Sequence, residues 1–137
     1  MAKKVLFLCT GNSCRSQMAE GLLRHINPGQ YKVFSAGLKP SIVHPKAIKV
    51  MQEIGIDISD QYSKSVDEFS EELLDIVITL CDNAKESCPV FGGRVKRMHW
   101  SIPDPFGVTG NEERVLEAFS VVRDQIWQRV EKEFGRD

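Results

Sequence analysis

The residues with the clearest chemical potential form a short loop, Cys9-Thr10-Gly11-Asn12-Ser13-Cys14-Arg15-Ser16, between an apolar run and a helical pattern. A tight loop of small residues in this position turns successive backbone N–H groups inward, and the positive end of the following helix faces the same point. Arg15 adds a forked guanidinium that suits two oxygens of one anion. We therefore expect the loop to bind a tetrahedral oxyanion through Thr10, Gly11, Asn12, Ser13, Cys14 and Arg15.

Cys9 lies at the floor of this loop, where the same N–H groups would stabilise a thiolate. A free thiol has a pKa of about 8.5 and is only a few per cent ionised at pH 7, so this setting would raise its reactivity. Ser16 would donate a hydrogen bond to the thiolate, cap the helix, or do both. Cys14 is either a packed thiol or a partner for Cys9 under oxidation. The nucleotide-binding loop is excluded, because no Gly-Lys-Ser/Thr follows.

A second pair of cysteines follows a later apolar run. Cys81 ends the run Ile76–Leu80, and Cys88 lies seven residues further on. Helical residues at that spacing share a face but are roughly 10 Å apart, so a Cys81–Cys88 disulfide would require the segment to unwind. Each thiol alone could be a small buried hydrophobe. A zinc site of Cys81, Cys88 and His99 fits no common ligand spacing.

Asp104-Pro105 follows the third apolar run and its connection. Displacement at an oxyanion needs a proton for the departing oxygen, and a carboxylic acid on a loop above the anion can supply it. Asp-Pro is equally typical of a plain turn. The residues alone leave both interpretations of Asp104 open.

The surrounding pattern predicts the elements that hold these residues. The continuous apolar runs 5–8 and 76–80 are typical of strands buried on both faces, and 31–36 and 95–100 resemble further strands. Helical periodicity runs through 18–26, from Pro45 to a cap at Gly55, and from Asn111 to the C-terminus. Ser65 to Glu68 matches a capping box, which predicts a helix through Leu73 and Leu74. Together these predict an α/β fold, an open twisted parallel sheet of about four strands with helices on both faces.

Composition sets the outer bounds. The 137 residues carry 18 basic and 19 acidic side chains, and this length predicts one catalytic domain over 1–137. The absence of a basic excess disfavours nucleic acid as a partner. The apolar runs are too short to span a membrane, and the N-terminus does not match a signal peptide. We therefore expect a cytoplasmic protein.

Several motifs resemble one family. Cys9 to Gly21, Ser35-Ala36-Gly37, Thr79-Leu80-Cys81, Cys88-Pro89 and Asp104-Pro105 are similar to the low-molecular-weight tyrosine phosphatase fold, and within it to the thioredoxin-coupled arsenate reductases. The resemblance implies a three-cysteine relay. Cys9 would attack arsenate, Cys81 would then attack Cys9 and release arsenite, and Cys88 would move the disulfide to Cys81–Cys88. It also implies catalytic roles for Arg15, Ser16 and Asp104, the last as general acid.

The same resemblance implies partners and cofactors. The enzyme would serve arsenic detoxification with arsenate as substrate and thioredoxin as electron donor, hold no bound cofactor or metal, and act as a monomer. Some members bind a potassium ion near Asn12, at positions that match Glu20, Ser35, Tyr62 and Lys64 here. A lysine would repel a cation, so we expect this site to be lost.

Two other functions compete with this hypothesis. A low-molecular-weight tyrosine phosphatase needs Cys9, Arg15 and Asp104 but neither Cys81 nor Cys88. Such phosphatases carry aromatic residues after Asp-Pro, whereas Phe106 is followed here by Gly107. A non-enzymatic oxyanion-binding protein with a redox-responsive cysteine pair would show no turnover.

Overall fold

The fold alternates strands and helices, and the computed structural model describes residues 2–69, 73–86 and 95–135. The strands are β1 (Lys3–Cys9), β2 (Tyr31–Gly37), β3 (Ile76–Thr79) and β4 (Lys96–His99). The helices are α1 (Arg15–Ile26), α2 (Pro45–Gln52), α3 (Asp82–Glu86) and α4 (Glu112–Phe134). Short 3₁₀ turns cover Val66–Phe69 and Pro105–Gly107.

The four strands form one parallel sheet in the order β2-β1-β3-β4. Cys9 pairs with Gly37 on one side of β1, and Leu8 pairs with Thr79 on the other. Because the pairing is parallel, the chain leaves β1 and β3 at the same edge of the sheet. The predicted α/β fold with a four-stranded parallel sheet is confirmed.

The sheet is covered on both faces. Val5, Leu6, Phe7 and Leu8 of β1 are all fully buried, although successive strand residues point to opposite faces. On one face, Phe7 packs against Trp100, which contacts Phe134 of α4. On the other face, Phe34 packs against Phe69 of the first 3₁₀ turn. The core therefore fixes β1, and with it the start of the reactive loop, from both sides.

Two helices begin at capping residues next to this core. The His44 side chain accepts a hydrogen bond from the Lys46 backbone at the start of α2, and Pro45 takes the first helical position, as proline prefers. Asn111 caps α4 in the same way. The apolar stripe of α4, predicted from its spacing, packs against α1 and α2. No helix in the described ranges is long and apolar enough to cross a membrane.

The helix predicted through Leu73 and Leu74 is wrong. The Ser65 hydroxyl does accept a backbone hydrogen bond, from Asp67, but it opens only the four-residue 3₁₀ turn. Leu73 and Leu74 lie outside any helix, with Leu74 buried and Leu73 70% exposed. Phe69 packs on Phe34 of β2, and Leu74 lies in the same core without a helix.

Candidate active site

The loop between β1 and α1 has its carbonyl groups turned outward. The carbonyls of Thr10, Gly11 and Ser13 accept hydrogen bonds from the backbone N–H groups of the segment that follows β2. The Asn12 carbonyl accepts from the Gln17 side chain, and the Cys14 carbonyl begins α1 by accepting from Met18. Each carbonyl from Thr10 to Cys14 therefore accepts a hydrogen bond from a donor that lies outside the loop.

This outward direction determines where the loop N–H groups point. In a trans peptide the N–H of one residue lies opposite the carbonyl of the residue before it. With the carbonyls of 10–14 facing out, the N–H groups of 11–15 face in and converge. Asn12 adopts a left-handed conformation, with φ 49°. Apart from glycine, asparagine is among the residues that tolerate this conformation best, and it is typical of anion-binding nests.

Gly37 is the residue that lets the loop sit against β2. A Cβ atom at this position would lie 2.7 Å from the Thr10 carbonyl oxygen and 2.8 Å from the Asn12 nitrogen. Both neighbours are backbone atoms that cannot rotate away. The close approach of strand and loop therefore requires glycine for steric reasons.

Arg15 reaches across the mouth of the loop. Its Nη1 donates to the Ile102 carbonyl at 3.0 Å, and its Nη2 lies 3.6 Å from Asp104 Oδ2. Its Nε is buried and has no hydrogen-bond partner among the described residues. A buried donor without an acceptor costs about 1–3 kcal/mol. An oxyanion bound in the loop can supply that acceptor.

Cys9 is buried at the base of the loop and contacts Ser16. The two side-chain atoms, Cys9 Sγ and Ser16 Oγ, are 2.8 Å apart. Ser16 Oγ also accepts a hydrogen bond from Asn12 Nδ2 at 2.8 Å. That amide bond occupies one lone pair of Ser16 and leaves its hydroxyl hydrogen for the sulfur. The Ser16 hydroxyl is therefore placed to donate to the Cys9 sulfur.

The orientation of the Asn12 amide is fixed by its other contacts. Asn12 Oδ1 accepts from Gln17 Nε2 at 2.9 Å and from the Lys64 backbone N–H at 3.0 Å. Its Nδ2 therefore faces the hydroxyls of Ser16 and Ser35. Two N–H groups bind the Asn12 oxygen, so the atom that faces Ser16 must be the Asn12 amide nitrogen, which donates.

Cys14 faces a different environment within the same loop. Burial, with Cys9 and Asp104 nearby, raises the pKa of its thiol to about 12. At neutral pH such a group is a protonated thiol and a poor nucleophile. Cys9, Cys14 and Cys81 are all free thiols. The structure thus favours the packed interpretation of Cys14 over a reactive one.

Cys81 emerges beside the loop at the edge of the sheet. Its Sγ lies 3.3 Å from Thr10 Oγ1 and accepts a hydrogen bond from the Ala84 backbone N–H at 3.3 Å. The second contact caps α3, and the Cys81 carbonyl accepts from Lys85. The β1–β3 pairing explains this juxtaposition, since adjacent parallel strands deliver both cysteines to one edge.

Asp104 lies above the loop, next to Arg15, with its side chain 51% exposed. This position allows proton exchange with solvent and with a ligand of Arg15. The structure thus brings together Cys9, the loop, Arg15, Ser16, Cys81 and Asp104. Cys88 lies outside the described residues. His99 uses its two ring nitrogens on Thr79 and Asp82.

The potassium site that the resemblance raised does not fit the residues present. Lys64 Nζ donates to the Tyr62 carbonyl at 2.9 Å and lies 3.9 Å from Glu20 Oε1. The ammonium thereby contacts two of the oxygens that a cation would need.

Gln17 and Gln61 are the residues that sequence reasoning missed. Gln17 Nε2 is shared among the Asn12 carbonyl, Asn12 Oδ1 and the Tyr62 carbonyl. Gln61 donates in turn to the Gln17 side chain at 2.7 Å. Sequence offered no signal for this pair beyond the position of Gln17 in the first turn of α1.

Comparison with known proteins places these features in a family context. The family model described as low molecular weight phosphotyrosine protein phosphatase matches residues 4–135. A relative named arsenate reductase from Bacillus subtilis (strain 168) is 46% identical over 133 residues, which cover 97% of this chain and 95% of the relative.

Solved structures agree with the sequence relatives. The structure described as an arsenate reductase in oxidized state has a TM-score of 0.82 and 40% identity, covering 95% of each chain. A thioredoxin-dependent arsenate reductase from Corynebacterium glutamicum has a TM-score of 0.65 and 27% identity, covering 96% of this chain and 63% of that one.

Proposed function

The chain belongs to the low molecular weight phosphotyrosine protein phosphatase family, and from that premise we propose that it is an arsenate reductase. Its relatives at 45–46% identity over nearly the full chain carry that name. The observation that carries the proposal is the position of Cys81, whose sulfur lies 3.3 Å from Thr10 of the anion loop. Phosphate ester hydrolysis has no use for a second thiol there, whereas reduction requires one.

Arsenate would be held by the inward N–H groups of the loop and by Arg15. The guanidinium is already anchored by the Ile102 carbonyl, so its remaining donors are oriented before the substrate arrives. Donors that are already oriented bind an anion without the free-energy cost of reorienting when the reaction occurs. Cys9 lies beneath, in line to attack the arsenic atom.

The first step forms a bond between the Cys9 sulfur and arsenic. One arsenate oxygen departs as water, with Asp104 as the acid that delivers a proton to it. Arsenic stays pentavalent in this step. Ser16 supports the attacking thiolate by its hydrogen bond.

The second step is the reduction. The Cys81 thiolate attacks the Cys9 sulfur, an S–S bond forms, and the S–As bond breaks with its electron pair remaining on arsenic. Arsenic becomes trivalent and leaves as arsenite, while the two thiols are oxidised to a disulfide. The nearness of Cys81 to the loop supports this step, because thiol–disulfide exchange depends on access to the sulfur attacked.

The third step regenerates Cys9. Cys88 attacks the Cys81 sulfur, releases the Cys9 thiolate and leaves a Cys81–Cys88 disulfide, which the dithiol of thioredoxin reduces. When its sulfur forms that disulfide, Cys81 gives up its bond to the Ala84 N–H at the start of α3. That bond caps the first turn of α3, so this turn must loosen in the third step. Such a cycle needs a reducing compartment, which supports a cytoplasmic location.

A phosphatase is the second candidate. The family match and the Cys9–Arg15–Asp104 arrangement support cleavage of a phosphate monoester as an alternative activity. We expect residual activity of this kind, because phosphate and arsenate have the same shape and charge.

A coupled assay separates the candidates. The reduced protein is incubated with arsenate, thioredoxin, thioredoxin reductase and NADPH, and the loss of NADPH is followed. We expect steady oxidation that requires arsenate and is abolished by Cys9→Ser, Cys81→Ser and Cys88→Ser alike, with phosphate in place of arsenate as the control. Hydrolysis of a phosphotyrosine analogue that survives Cys81→Ser and Cys88→Ser, without NADPH oxidation, would instead establish a phosphatase.

A further inference from the structure

A buried lysine lies at the far end of the hydrogen-bond chain that reaches Cys9. The side chains of Lys64 and Glu20 are 8% and 5% exposed. Lys64 Nζ lies 3.9 Å from Glu20 Oε1, donates to the Tyr62 carbonyl and packs over the Tyr62 ring at 4.5 Å. Burying an ammonium in this way is costly unless it is compensated by a specific partner.

Glu20 connects the Lys64 ammonium to the loop through hydrogen bonds. The Ser35 hydroxyl donates to Glu20 Oε1 at 2.6 Å, and Asn12 Nδ2 donates to Ser35 Oγ at 2.9 Å. The Ser35 hydroxyl has one hydrogen, which it donates to the Glu20 carboxylate. Toward Asn12 it therefore acts as an acceptor. The same Asn12 amide donates to Ser16, which contacts Cys9. These bonds form one hydrogen-bond chain from the Glu20 carboxylate to Cys9, in which Gln17 and the Lys64 backbone also orient the Asn12 amide.

Lys64 also contacts Asn12 directly. Its backbone N–H donates to Asn12 Oδ1, so Lys64 contacts the hydrogen-bond chain at two points, the Asn12 amide and the Glu20 carboxylate. Burial lowers the pKa of the Lys64 ammonium and Glu20 opposes that shift, which marks the two as mutually dependent.

Other charges face the two ends of this chain. Arg24 pairs with the second oxygen of Glu20 at 2.6 Å, and Glu68 acts on Lys64 from the first 3₁₀ turn. Arg15 and Asp104 face the sulfur end, together with the thiol of Cys14. Arg24 is half exposed, with its side chain 52% accessible, so solvent weakens its hold on Glu20. Lys64 is the buried cation of the pair.

We propose that Lys64 is a positioning residue for the reaction. Its ammonium holds the Glu20 carboxylate in place, so that the hydrogen-bond chain through Ser35, Asn12 and Ser16 presents a donor to Cys9. The inference rests on the proposed function in one respect, namely that Cys9 is the nucleophile. Lys64 is thus the cation, supplied by the protein itself, that pairs with Glu20 at the end of this hydrogen-bond chain.

The test measures the ionisation of Cys9 without arsenate. Alkylation by iodoacetamide is followed against pH in the full chain, with the modified cysteine identified by fragmentation of its peptide. Lys64→Met is expected to move the midpoint of the Cys9 profile up by about 0.5–1 unit, which lowers the rate below the midpoint about three- to tenfold. The rate on the high-pH plateau stays unchanged, because the intrinsic thiolate is the same. Lys64→Arg, which keeps the charge, restores most of the rate.

Two comparisons make the result decisive. Lys132→Met removes an exposed lysine of α4 and should leave the midpoint in place. In a Glu20→Gln background, Lys64→Met should have no further effect, because the ammonium acts through that carboxylate. If Lys64→Met does not fold, Lys64→Gln replaces it. An unchanged midpoint, or an equal shift with and without Glu20, would overturn the proposal. A shift with no arsenate reduction would support it while removing the reductase.

Discussion

Ser16 and Asp104 act on opposite sides of the same reaction centre. Ser16 contacts the sulfur that attacks, at 2.8 Å, and Asp104 lies beside the guanidinium that would hold the departing oxygen. One side chain acts on the nucleophile and the other on the leaving group. Their replacement should therefore affect different properties of the enzyme.

Ser16→Ala is expected to slow the first step at neutral pH about tenfold. The reason is the loss of a hydrogen bond to a charged group, which is worth about 1.5–3 kcal/mol. The pH dependence of Cys9 alkylation measures it. Ser120→Ala, which removes a helical hydroxyl bonded to Glu53, serves as the matched control. An unaltered profile in Ser16→Ala would show that the contact does not favour the thiolate.

Asp104→Asn is expected to slow arsenate reduction in a single turnover about a hundredfold, within the usual range for loss of a general acid. Oxyanion binding should be preserved, because the loop and Arg15 remain. Rapid-quench measurement of arsenite and a separate phosphate titration distinguish the two effects. Asp60→Asn, an exposed aspartate, is the control. Unchanged single-turnover rates would remove the role of Asp104 as acid.

At the scale of elements, the loop depends on the strand beside it. Gly37→Ala should weaken oxyanion binding at least tenfold, because the new Cβ would meet the backbone of Thr10 and Asn12. Overpacking of this kind also costs about 1–3 kcal/mol of stability. Phosphate titration and urea unfolding measure both effects. At Gly107 a Cβ would meet nothing within 4 Å, so Gly107→Ala is the control. Normal phosphate affinity in Gly37→Ala would contradict the close approach.

The sequence predicted the elements that carry strong local signals and missed those fixed by tertiary contacts. The apolar run of β1, the residue types of the loop and the helical spacing of α4 are local signals, and each of the three elements lies where they predict it. Among the described residues, the Ser65 box starts a 3₁₀ turn whose Phe69 packs on Phe34 of β2, a contact between residues far apart in the sequence. The contact of Cys81 with Thr10 and the shared amide of Gln17 depend on residues far apart in the chain. No local pattern encodes such distances.

For the whole molecule, the pH dependence of stability should carry a contribution from His44. Its side chain accepts the capping bond of α2 and packs against Phe119 of α4 at 4.9 Å. Burial, with Lys46 adding to it, lowers the pKa of His44, so the unfolded chain binds this proton more tightly than the folded one. Stability is therefore unaffected well above the ordinary imidazole pKa of about 6.5 and declines as the pH falls below it.

The variant His44→Asn keeps a capping acceptor but cannot titrate. We expect the unfolding free energy of the unmodified protein to fall relative to His44→Asn between about pH 6.5 and 5, by up to the roughly 1 kcal/mol of a helix cap. Urea unfolding at several pH values measures the difference. Parallel curves for the two proteins would show that His44 does not titrate differently in the folded state.

The central claim, a relay that passes through Cys9 and Cys81, is tested most directly by trapping its intermediate. Cys88→Ser protein is mixed with arsenate, quenched with an alkylating agent and analysed by mass spectrometry of its peptides. The relay predicts one arsenite per protein and a Cys9–Cys81 disulfide, with Cys14 alkylated after denaturation and no further turnover when thioredoxin is supplied. Sustained turnover by Cys88→Ser, or arsenite release with Cys9 and Cys81 both still reduced, would contradict it.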